Sequence, residues 1–164
     1  MISAIVAVDN NWGIGFNGEL LEHIPEDLKY FKQLTENHVV VMGRKTWDSL
    51  PKKPLKDRAN IVITSQERHL DEMTAFIPFG EAVYRMTHLD NNDEWFIIGG
   101  GQIYKELLPF CDRVYVTKIF KDHSNVDTYF PNLDEMDDWV PAACSSIHNY
   151  KDLTYQFWQY DRIN

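Results

Sequence analysis

Four short apolar runs in the first two thirds of the chain predict buried strands. They are rich in β-branched and aromatic side chains, and they cover residues 2–8, 39–42, 61–65 and 95–98. Runs this short and this uniformly apolar are typical of strands that a sheet buries on both faces. Segments that follow these runs favour helices, as at residues 81–87 and 102–108. The alternation predicts a largely parallel sheet with helices on its faces.

The last third of the chain has a different pattern. Residues 114–120 and 154–160 alternate polar and apolar side chains, which is typical of antiparallel strands, and we expect them to pair with each other. Residues 74–78 predict an edge strand that ends at Pro78. The predicted fold is a single α/β domain over residues 1–164, with a mixed, mostly parallel central sheet of about eight strands, an antiparallel C-terminal edge and about four flanking helices.

Residues 9–18 interrupt this pattern directly after the first strand. They contain three glycines and three asparagines, which indicate a long loop without regular structure. Loops of this kind are usually lids or binding loops. We therefore expect a functional lid between the first strand and a helix that begins at Pro25.

The helix that begins at Pro25 carries an acid on its apolar face. Proline is accepted in a first helical turn, and Glu26 and Asp27 suit the positive end of the helix dipole. At helical spacing, Asp27 shares a face with Phe31 and Leu34, whereas Glu26 falls on a polar face. A carboxylate among apolar neighbours needs a partner, or its pKa rises. Asp27 is thus a candidate catalytic acid, and the alternative is that it only caps the helix or complements its dipole.

The overall charge limits the class of ligand. A formal net charge of −9 argues against a nucleic-acid partner, because nucleic-acid binders need a positive surface to displace counterions from phosphates. One basic segment lies between Arg44 and Arg58, and it favours a small anionic ligand. Lys52, Lys53 and Lys56 within it are also explained as an ordinary solvated loop.

The sequence lacks features that are typical of several other classes of protein. The two cysteines, Cys111 and Cys144, are not spaced for a metal, and they favour a reducing, cytoplasmic location. We expect neither a leader nor a membrane segment, since no apolar run approaches membrane-spanning length. The sequence also contains no Gly-x-Ser-x-Gly, no His-Glu-x-x-His and no Walker motif.

Three predicted strand ends carry residues that suit an anion. They are Met42-Gly43-Arg44-Lys45-Thr46, then Ile63-Thr64-Ser65-Gln66 with Arg68 nearby, then Ile98-Gly99-Gly100-Gly101-Gln102. Glycines let the backbone approach a ligand closely, and helix N–H groups suit phosphates. Although the Gly-x-Gly-x-x-Gly fingerprint is absent, three such ends in one sheet predict a dinucleotide lying across them.

Taken in chain order, these motifs resemble those of a known enzyme family. They are Ala7, Gly13-Ile14-Gly15, Ile24-Pro25-x-Asp27-Leu28 with Phe31, Gly43-Arg44-x-Thr46-Trp47, Arg58, Ile98-Gly99-Gly100-Gly101-x-x-Tyr104 and Asp127-Thr128-x-Phe130-Pro131. Their order closely resembles dihydrofolate reductase of the bacterial type, from Met1 to the final strand. The resemblance implies a cytoplasmic, monomeric oxidoreductase of one-carbon metabolism that reduces 7,8-dihydrofolate to 5,6,7,8-tetrahydrofolate with NADPH, needs no metal, and is a target of antifolates.

The resemblance also implies a role for each matched residue. Asp27 would hold the pterin ring and promote protonation at N5, with Thr117 steadying the same end of the ring. Arg58 would bind the glutamate α-carboxylate as a bidentate pair. The apolar walls around pterin, benzoyl ring and nicotinamide would come from Ile5, Ala7, Leu28, Phe31, Leu50 and Ile98. NADPH would contact Ala7, Ile14, Gly43, Arg44, Lys45, Thr46, Thr64, Ser65, Gln66, Ile98, Gly99, Gly100, Gly101, Gln102, Ile103 and Tyr104. The lid would include Gly15 and Leu20, and Asp127 would latch it shut.

Leu21 and Glu22 depart from the family, which usually has Pro-Trp after the lid. If Glu22 points inward, it adds a carboxylate close to Asp27, and like charges would raise the pKa of one of the two. The favoured expectation is that Glu22 turns to solvent. Gln102 stands where some relatives have a basic residue, so phosphate binding would depend more on Arg44 and Lys45.

Two other functions stay open from the sequence. A reductase of the same fold that acts on a pyrimidine or riboflavin precursor would not need Arg58 or the Asp27–Phe31 face. A non-catalytic folate- or nucleotide-binding protein is suggested only by Glu22, and it would bind its ligand tightly without turnover.

Overall fold

The computed structural model describes residues 1–66 and 68–163 of the chain, with the backbone alone at residues 68–70. The strands are β1 (Ile2–Val8), β2 (Gly13–Phe16), β3 (Glu19–Leu20), β4 (Val39–Gly43), β5 (Ala59–Ile63), β6 (Arg68–Asp71), β7 (Thr74–Ile77), β8 (Trp95–Gly99), β9 (Arg113–Ile119), β10 (Thr128–Tyr129), β11 (Trp139–Cys144), β12 (His148–Tyr150) and β13 (Leu153–Arg162). The α-helices are α1 (Pro25–Thr35), α2 (Arg44–Ser49), α3 (Phe79–Met86) and α4 (Gly101–Leu107), and short 3-10 turns cover Leu108–Phe110 and Leu133–Glu135.

One mixed sheet carries most of the described chain. Its order is β11-β13-β9-β1-β8-β4-β5-β7-β6, and β12 pairs with β13. Parallel pairs join β9, β1, β8, β4, β5 and β7, whereas β13 runs antiparallel to its three neighbours. The predicted mixed, mostly parallel sheet with an antiparallel C-terminal edge and flanking helices is confirmed, as is the pairing of β9 with β13.

Two details of the expected fold are wrong. β7 is not an edge strand, because β6 pairs antiparallel with it. The lid also has regular structure, since β2 pairs with β3 and with β10 in a small separate sheet. Its glycines and asparagines serve tight turns between short strands, as at Asn17 and Gly18, which both have positive φ. The side chain of Arg68, expected near an anion-binding strand end, lies outside the described residues.

The central strands form because their apolar side chains are buried on both faces of the sheet. Val40, Val41 and Met42 of β4 are fully buried. Val41 belongs to one apolar cluster with Ile97, whereas Val40 and Met42 belong to the cluster on the other face. Burying such side chains contributes about 1.5–3 kcal/mol each. The strand ends are therefore held on a rigid platform.

Parallel pairing brings the carboxyl ends of several strands together. Gly43 is the register partner of Ile63 between β4 and β5, and Met42 is that of Gly99 between β4 and β8. In an open α/β sheet, ligands bind in the crevice outside the carboxyl ends of the strands. The glycine-rich junctions predicted from the sequence accordingly lie side by side at this edge.

Candidate functional site

Asp27 lies in the first turn of α1 with its side chain turned to the sheet. Thr117 of β9 donates a hydrogen bond from Oγ1 to Asp27 Oδ1 at 2.6 Å. Helix α1 has no side-chain cap, so Asp27 does not act as a helix cap. Burial raises the pKa of Asp27 above the ordinary value for an aspartate, and the Thr117 hydrogen bond opposes that shift. An acid in this environment retains a proton to a higher pH than an exposed carboxyl group does.

The cleft beside Asp27 joins helix α1, strand β1 and the lid. It is lined by Ala7, Ile14, Leu20, Asp27 and Leu28, together with Val8, Asp9, Gly13, Leu21, Glu22, His23, Ile24 and Ile119. The structure thus brings together five of the expected site residues. Four others lie outside this lining: Ile5 belongs to a second apolar cluster, and Phe31, Leu50 and Ile98 pack against that cluster. The cleft therefore combines apolar side chains with three carboxylates, those of Asp9, Glu22 and Asp27, and that of Asp27 has a hydroxyl partner.

Arg58 is held in a fixed orientation behind Phe31. It is 7% exposed, its Nε donates to the Lys56 carbonyl at 2.8 Å, and its Nη1 donates to Thr35 Oγ1 at 3.1 Å. The guanidinium carbon lies 5.8 Å from the centroid of the Phe31 ring. Burial lowers the pKa of Arg58, while Glu36 and Asp57 oppose that shift. Among the described contacts, Nη2 has no protein acceptor.

Thr35 is a positioning residue that sequence reasoning missed. It is fully buried at the end of α1, and its hydroxyl donates to the Phe31 carbonyl at 2.8 Å while it accepts from Arg58. The only signal in the sequence was a hydroxyl side chain at the last position of an amphipathic helix. Its partner lies twenty-three residues away, so helical spacing alone could not find it.

We predict that Thr35→Val lowers the free energy of unfolding by about 1–3 kcal/mol, because it leaves a buried guanidinium N–H without its partner. Thr35→Ser keeps the hydroxyl and is expected to lose less. Urea titration of the three proteins measures the difference. Equal stability of the Thr35→Val variant and the unaltered protein would contradict the assignment.

The junction of β8 and α4 requires glycine. Gly99 has φ +126°, a backbone conformation that favours glycine, and a Cβ at Gly101 would lie 2.4 Å from Thr128 Cγ2. The hydroxyl of Thr46 stands 3.4–3.5 Å from where a Cβ of Gly99 or Gly100 would be. The backbone of β8, the start of α2 and the lid sheet therefore approach one another closely, and we call the backbone of Gly99, Gly100 and Gly101 the glycine cradle.

Gly99→Ala is expected to lower the free energy of unfolding by about 1–3 kcal/mol, because alanine is strained at this positive φ. Gly100→Ala is the matched control, since Gly100 has no positive φ and its Cβ would touch only Thr46 Oγ1 at 3.4 Å. Chemical denaturation of both variants distinguishes backbone strain from crowding. Equal losses in the two variants would mean that strain at Gly99 is not the cause.

The basic side chains at the start of α2 lie next to this cradle. Arg44 and Lys45 are exposed, and Arg44 Nε pairs with Asp48 Oδ1 at 3.3 Å. On the adjacent strand end, Thr64 Oγ1 accepts from the Gln66 backbone N–H at 3.3 Å. Two other residues expected to contact the cofactor have side chains that form hydrogen bonds within the protein. Gln102 bonds to Glu106, and buried Tyr104 donates its hydroxyl to the Ile5 carbonyl at 2.6 Å, which ties α4 to β1.

Asp127, directly before strand β10, connects the lid to that strand. Its Oδ2 accepts from the Asn17 backbone N–H at 3.0 Å, and its Oδ1 accepts from Thr128 Oγ1 at 2.8 Å. The Asp127 backbone N–H also donates to the Gly15 carbonyl at 3.1 Å. These hydrogen bonds, that from Asn17 first, hold the pKa of Asp127 below its ordinary value. The lid is therefore joined to Asp127 at Gly15 and Asn17.

Glu22 does not turn to solvent, so the favoured expectation for it is wrong. Its side chain is only 18% exposed, with Oε1 3.5 Å from Lys121 Nζ and Oε2 3.8 Å from His123 Nε2. Lys121 and His123 come from a distant part of the chain, which is why the local sequence of Glu22 could not place its side chain. Glu22 lines the same cleft as Asp27, but burial is the main cause of the raised pKa of Asp27.

Within the described residues, no group of three or more His, Cys, Asp or Glu side chains could hold a metal ion. None of the helices in the described ranges is long and apolar enough to cross a membrane.

Comparisons with known proteins find a family and relatives that match this chain over nearly its whole length. A family model described as dihydrofolate reductase matches residues 1–162. The dihydrofolate reductase of Bacillus subtilis is 38% identical over an alignment that covers 100% of this chain and 96% of the relative. The dihydrofolate reductase of Mycobacterium leprae is 37% identical over 99% of this chain and 98% of its own. That of Sus scrofa is 33% identical, again over 99% and 98%.

Proposed function

The chain belongs to the dihydrofolate reductase family, and we propose from this that it is an oxidoreductase that reduces 7,8-dihydrofolate to 5,6,7,8-tetrahydrofolate with NADPH. The observation that carries the proposal is the hydrogen-bonded pair of Asp27 and Thr117, since Asp27 lines the cleft between helix α1, strand β1 and the lid. Reduction of a C=N bond needs a dry pocket, a fixed hydride donor and one source of a proton.

Asp27 is proposed to orient the pterin and to promote its protonation. The carboxylate would accept hydrogen bonds from the 2-amino group and the ring N–H, while Thr117 fixes the carboxylate itself. When bound, NADPH supplies the hydride that pterin C6 receives. The proton goes to the adjacent N5, so the reaction adds one hydride and one proton across the C6–N5 bond. Burial raises the pKa of Asp27, which makes this group a better proton donor than an exposed aspartate would be at the same pH.

The residues at the strand ends suit a nicotinamide dinucleotide. The cradle at Gly99, Gly100 and Gly101 has no side chains to exclude a pyrophosphate, and two exposed cations lie beside it. We propose that Gly43, Arg44, Lys45, Thr46, Gln66, Gln102 and Ile103 also contact the cofactor, with Arg44, Thr64 and Ser65 nearest the 2′-phosphate. Ala7, Ile14 and Ile98 would face the nicotinamide.

Arg58 is proposed to bind the α-carboxylate of the substrate. Its fork is held by Thr35 and the Lys56 carbonyl, and a preoriented guanidinium suits a carboxylate better than a mobile ammonium does. A reductase of pyrimidine or riboflavin precursors would have no use for this group. The binding-protein alternative loses its motive, since the Glu22 carboxylate is paired with Lys121 and His123.

We also propose that the protein is a cytoplasmic monomer and that its substrate is a small molecule. Cys111 and Cys144 are both free, which agrees with a reducing compartment. The net charge of −9 disfavours a nucleic-acid partner.

A direct assay tests the proposed reaction. NADPH, dihydrofolate and the protein are mixed, and loss of the reduced-nicotinamide absorbance is followed, with NADH and an Asp27→Asn variant run beside it. Oxidation that needs all three components and Asp27 supports the proposal. Binding of dihydrofolate without oxidation would instead support the non-catalytic alternative.

Asp127→Ala is expected to speed the release of NADPH, because it removes the side-chain hydrogen bond that joins residue 127 to Asn17 of the lid. Asp127→Asn keeps an acceptor oxygen and is expected to have a smaller effect. The release rate is followed by the fluorescence of bound NADPH in a competition experiment. Unchanged release in Asp127→Ala would contradict the latch.

A further inference from the structure

His123 lies between the two ends of the lid, which we define as residues 9–24. At the first end, the side chain of Asp9 is 1% exposed. Its Oδ1 accepts from the backbone N–H groups of Asn11 and Gly13, at 3.0 and 2.8 Å. Its Oδ2 accepts from the backbone N–H of His123 at 3.2 Å and lies 3.1 Å from His123 Nδ1. Asp9 therefore shapes the first turn of the lid and fixes it to His123.

The second end of the lid faces the other nitrogen of the same ring. Glu22 Oε2 lies 3.8 Å from His123 Nε2, and Glu22 Oε1 lies 3.5 Å from Lys121 Nζ. His123 Nε2 is buried and has no hydrogen-bond partner within the described residues. A buried polar atom of this kind is costly unless it gains a partner. The ring thus stands between two carboxylates, with one nitrogen bonded and one not.

Protonation of the ring adds a donor only at Nε2, the nitrogen that faces Glu22, because Nδ1 already carries a proton toward Asp9. Asp9 Oδ2 is an acceptor, so the neutral ring keeps its proton on Nδ1 and presents a lone pair to Glu22. The protonated ring donates at both nitrogens and carries a charge that both carboxylates favour. Lys121 opposes that charge. Each end of the lid is then bound to the same imidazolium.

Other titratable groups around the ring respond differently. Asp122 accepts from Asn11 Nδ2 at 3.3 Å, while His23 and Asp27 line the cleft on the side of Glu22. Protonation of a carboxylate in this cluster removes an ionic contact, so it would loosen the lid as the pH falls. Protonation of His123 adds a contact, so it would tighten the lid as the pH falls.

We propose that His123 is a positioning residue that binds both ends of the lid, and that its protonation adds the contact to Glu22 and so tightens the closed lid over the cofactor. The effect on catalysis that this inference predicts rests on the proposed function. The contacts between His123 and the lid do not depend on it. Lys121 holds Glu22 in place for the neutral ring, and the closed lid persists when His123 loses its proton.

Hydrogen exchange of the free protein tests the inference without cofactor or turnover. Protection factors of the lid amides are measured between about pH 5 and pH 8, the range in which histidines titrate, with intrinsic exchange rates divided out. We expect lid protection to fall by about twofold to tenfold as the pH rises, the range for loss of one ordinary hydrogen bond. Protection that is flat, or that rises with pH, would overturn the proposal.

Variants assign the effect to the ring and to its contact with Glu22. His123→Gln keeps a side-chain amide beside Asp9 but cannot gain a charge, so its lid protection should not depend on pH. Glu22→Gln should also remove the dependence, and it serves if His123→Gln does not fold. Lys121→Met should retain the dependence, because the ring and both carboxylates remain. Retention of the full pH dependence in Glu22→Gln would overturn the proposal.

Two matched controls exclude other titrating groups. His148→Gln removes a second histidine that pairs with a carboxylate, Glu26 Oε1 at 3.4 Å, outside the lid. Asp27→Asn removes the buried acid of the cleft. Both variants should keep the pH dependence of the lid, and its loss in either would assign the effect elsewhere and overturn the proposal.

Kinetics separate this inference from the proposed function. In an active enzyme, His123→Gln should raise the KM for NADPH at low pH more than it lowers kcat, and it should remove the pH dependence of NADPH release. If the protein proves inactive while its lid protection still depends on His123, the proposed reaction fails and the positioning role stands. An active enzyme with the same lid protection in the unaltered and His123→Gln proteins would overturn the positioning role alone.

Discussion

Asp27→Asn is expected to lower turnover of dihydrofolate by about 10²–10⁴-fold at neutral pH, the range for loss of general acid–base catalysis. Asparagine can still accept a hydrogen bond from Thr117, so the pocket should keep its shape. It can no longer hold or pass a proton. Activity should recover in part as the pH falls, because more of the substrate then arrives already protonated.

The pH profile of the rate, measured with the unaltered protein beside it, checks this prediction. Dihydrofolate binding to the variant is the control for an intact pocket. Unchanged turnover at neutral pH would rule out Asp27 as the acid that assists protonation, whereas a uniform loss at every pH would point to a role in orientation only.

The same substitution should raise stability at neutral pH. Burial raises the pKa of Asp27 in the folded state above the ordinary value of 3.8. The folded chain therefore holds this proton more tightly than the unfolded chain, and the favourable contribution is present below that value and lost as the pH rises through the folded pKa. The gain in melting temperature from Asp27→Asn should accordingly be largest near neutral pH and should fade towards acidic pH.

The sequence predicted Asp27 and the strand ends for a physical reason. Helical spacing determines which residues of α1 share a face, and an apolar run long enough for one strand predicts a strand buried on both sides. β11 was not predicted, because five of its six residues are exposed and one is a proline. A strand at the edge of a sheet buries too little to leave a pattern in the sequence.

The parts of the site that the sequence left undetermined depend on distant partners. Thr117 was assigned by resemblance alone, since it lies ninety residues from Asp27 along the chain. The partners of Glu22 come from the segment after β9, and neither of the two orientations expected for it included them. Periodicity describes which face a side chain occupies, but the residue that meets it there is determined by the tertiary fold.

Arg58→Ala is expected to weaken binding of dihydrofolate by about 2–5 kcal/mol, the range for truncating one partner of a buried, hydrogen-bonded charge pair. The guanidinium is held by Thr35 and the Lys56 carbonyl before any ligand binds, so little side-chain entropy is lost when a carboxylate joins it. Arg58→Lys keeps the positive charge but loses the planar guanidinium, so its affinity for dihydrofolate should lie between those of the unaltered protein and of Arg58→Ala.

Two comparisons show whether the loss belongs to the carboxylate. Lys56→Ala is the matched control, because its exposed side chain carries the neighbouring charge while its backbone carbonyl still accepts from Arg58. A small diaminopyrimidine inhibitor, which has no glutamate, should bind Arg58→Ala almost as well as the unaltered protein. Equal weakening of the folate and the diaminopyrimidine, measured by titration calorimetry, would mean that Arg58 supports the fold of the site and does not bind the substrate tail.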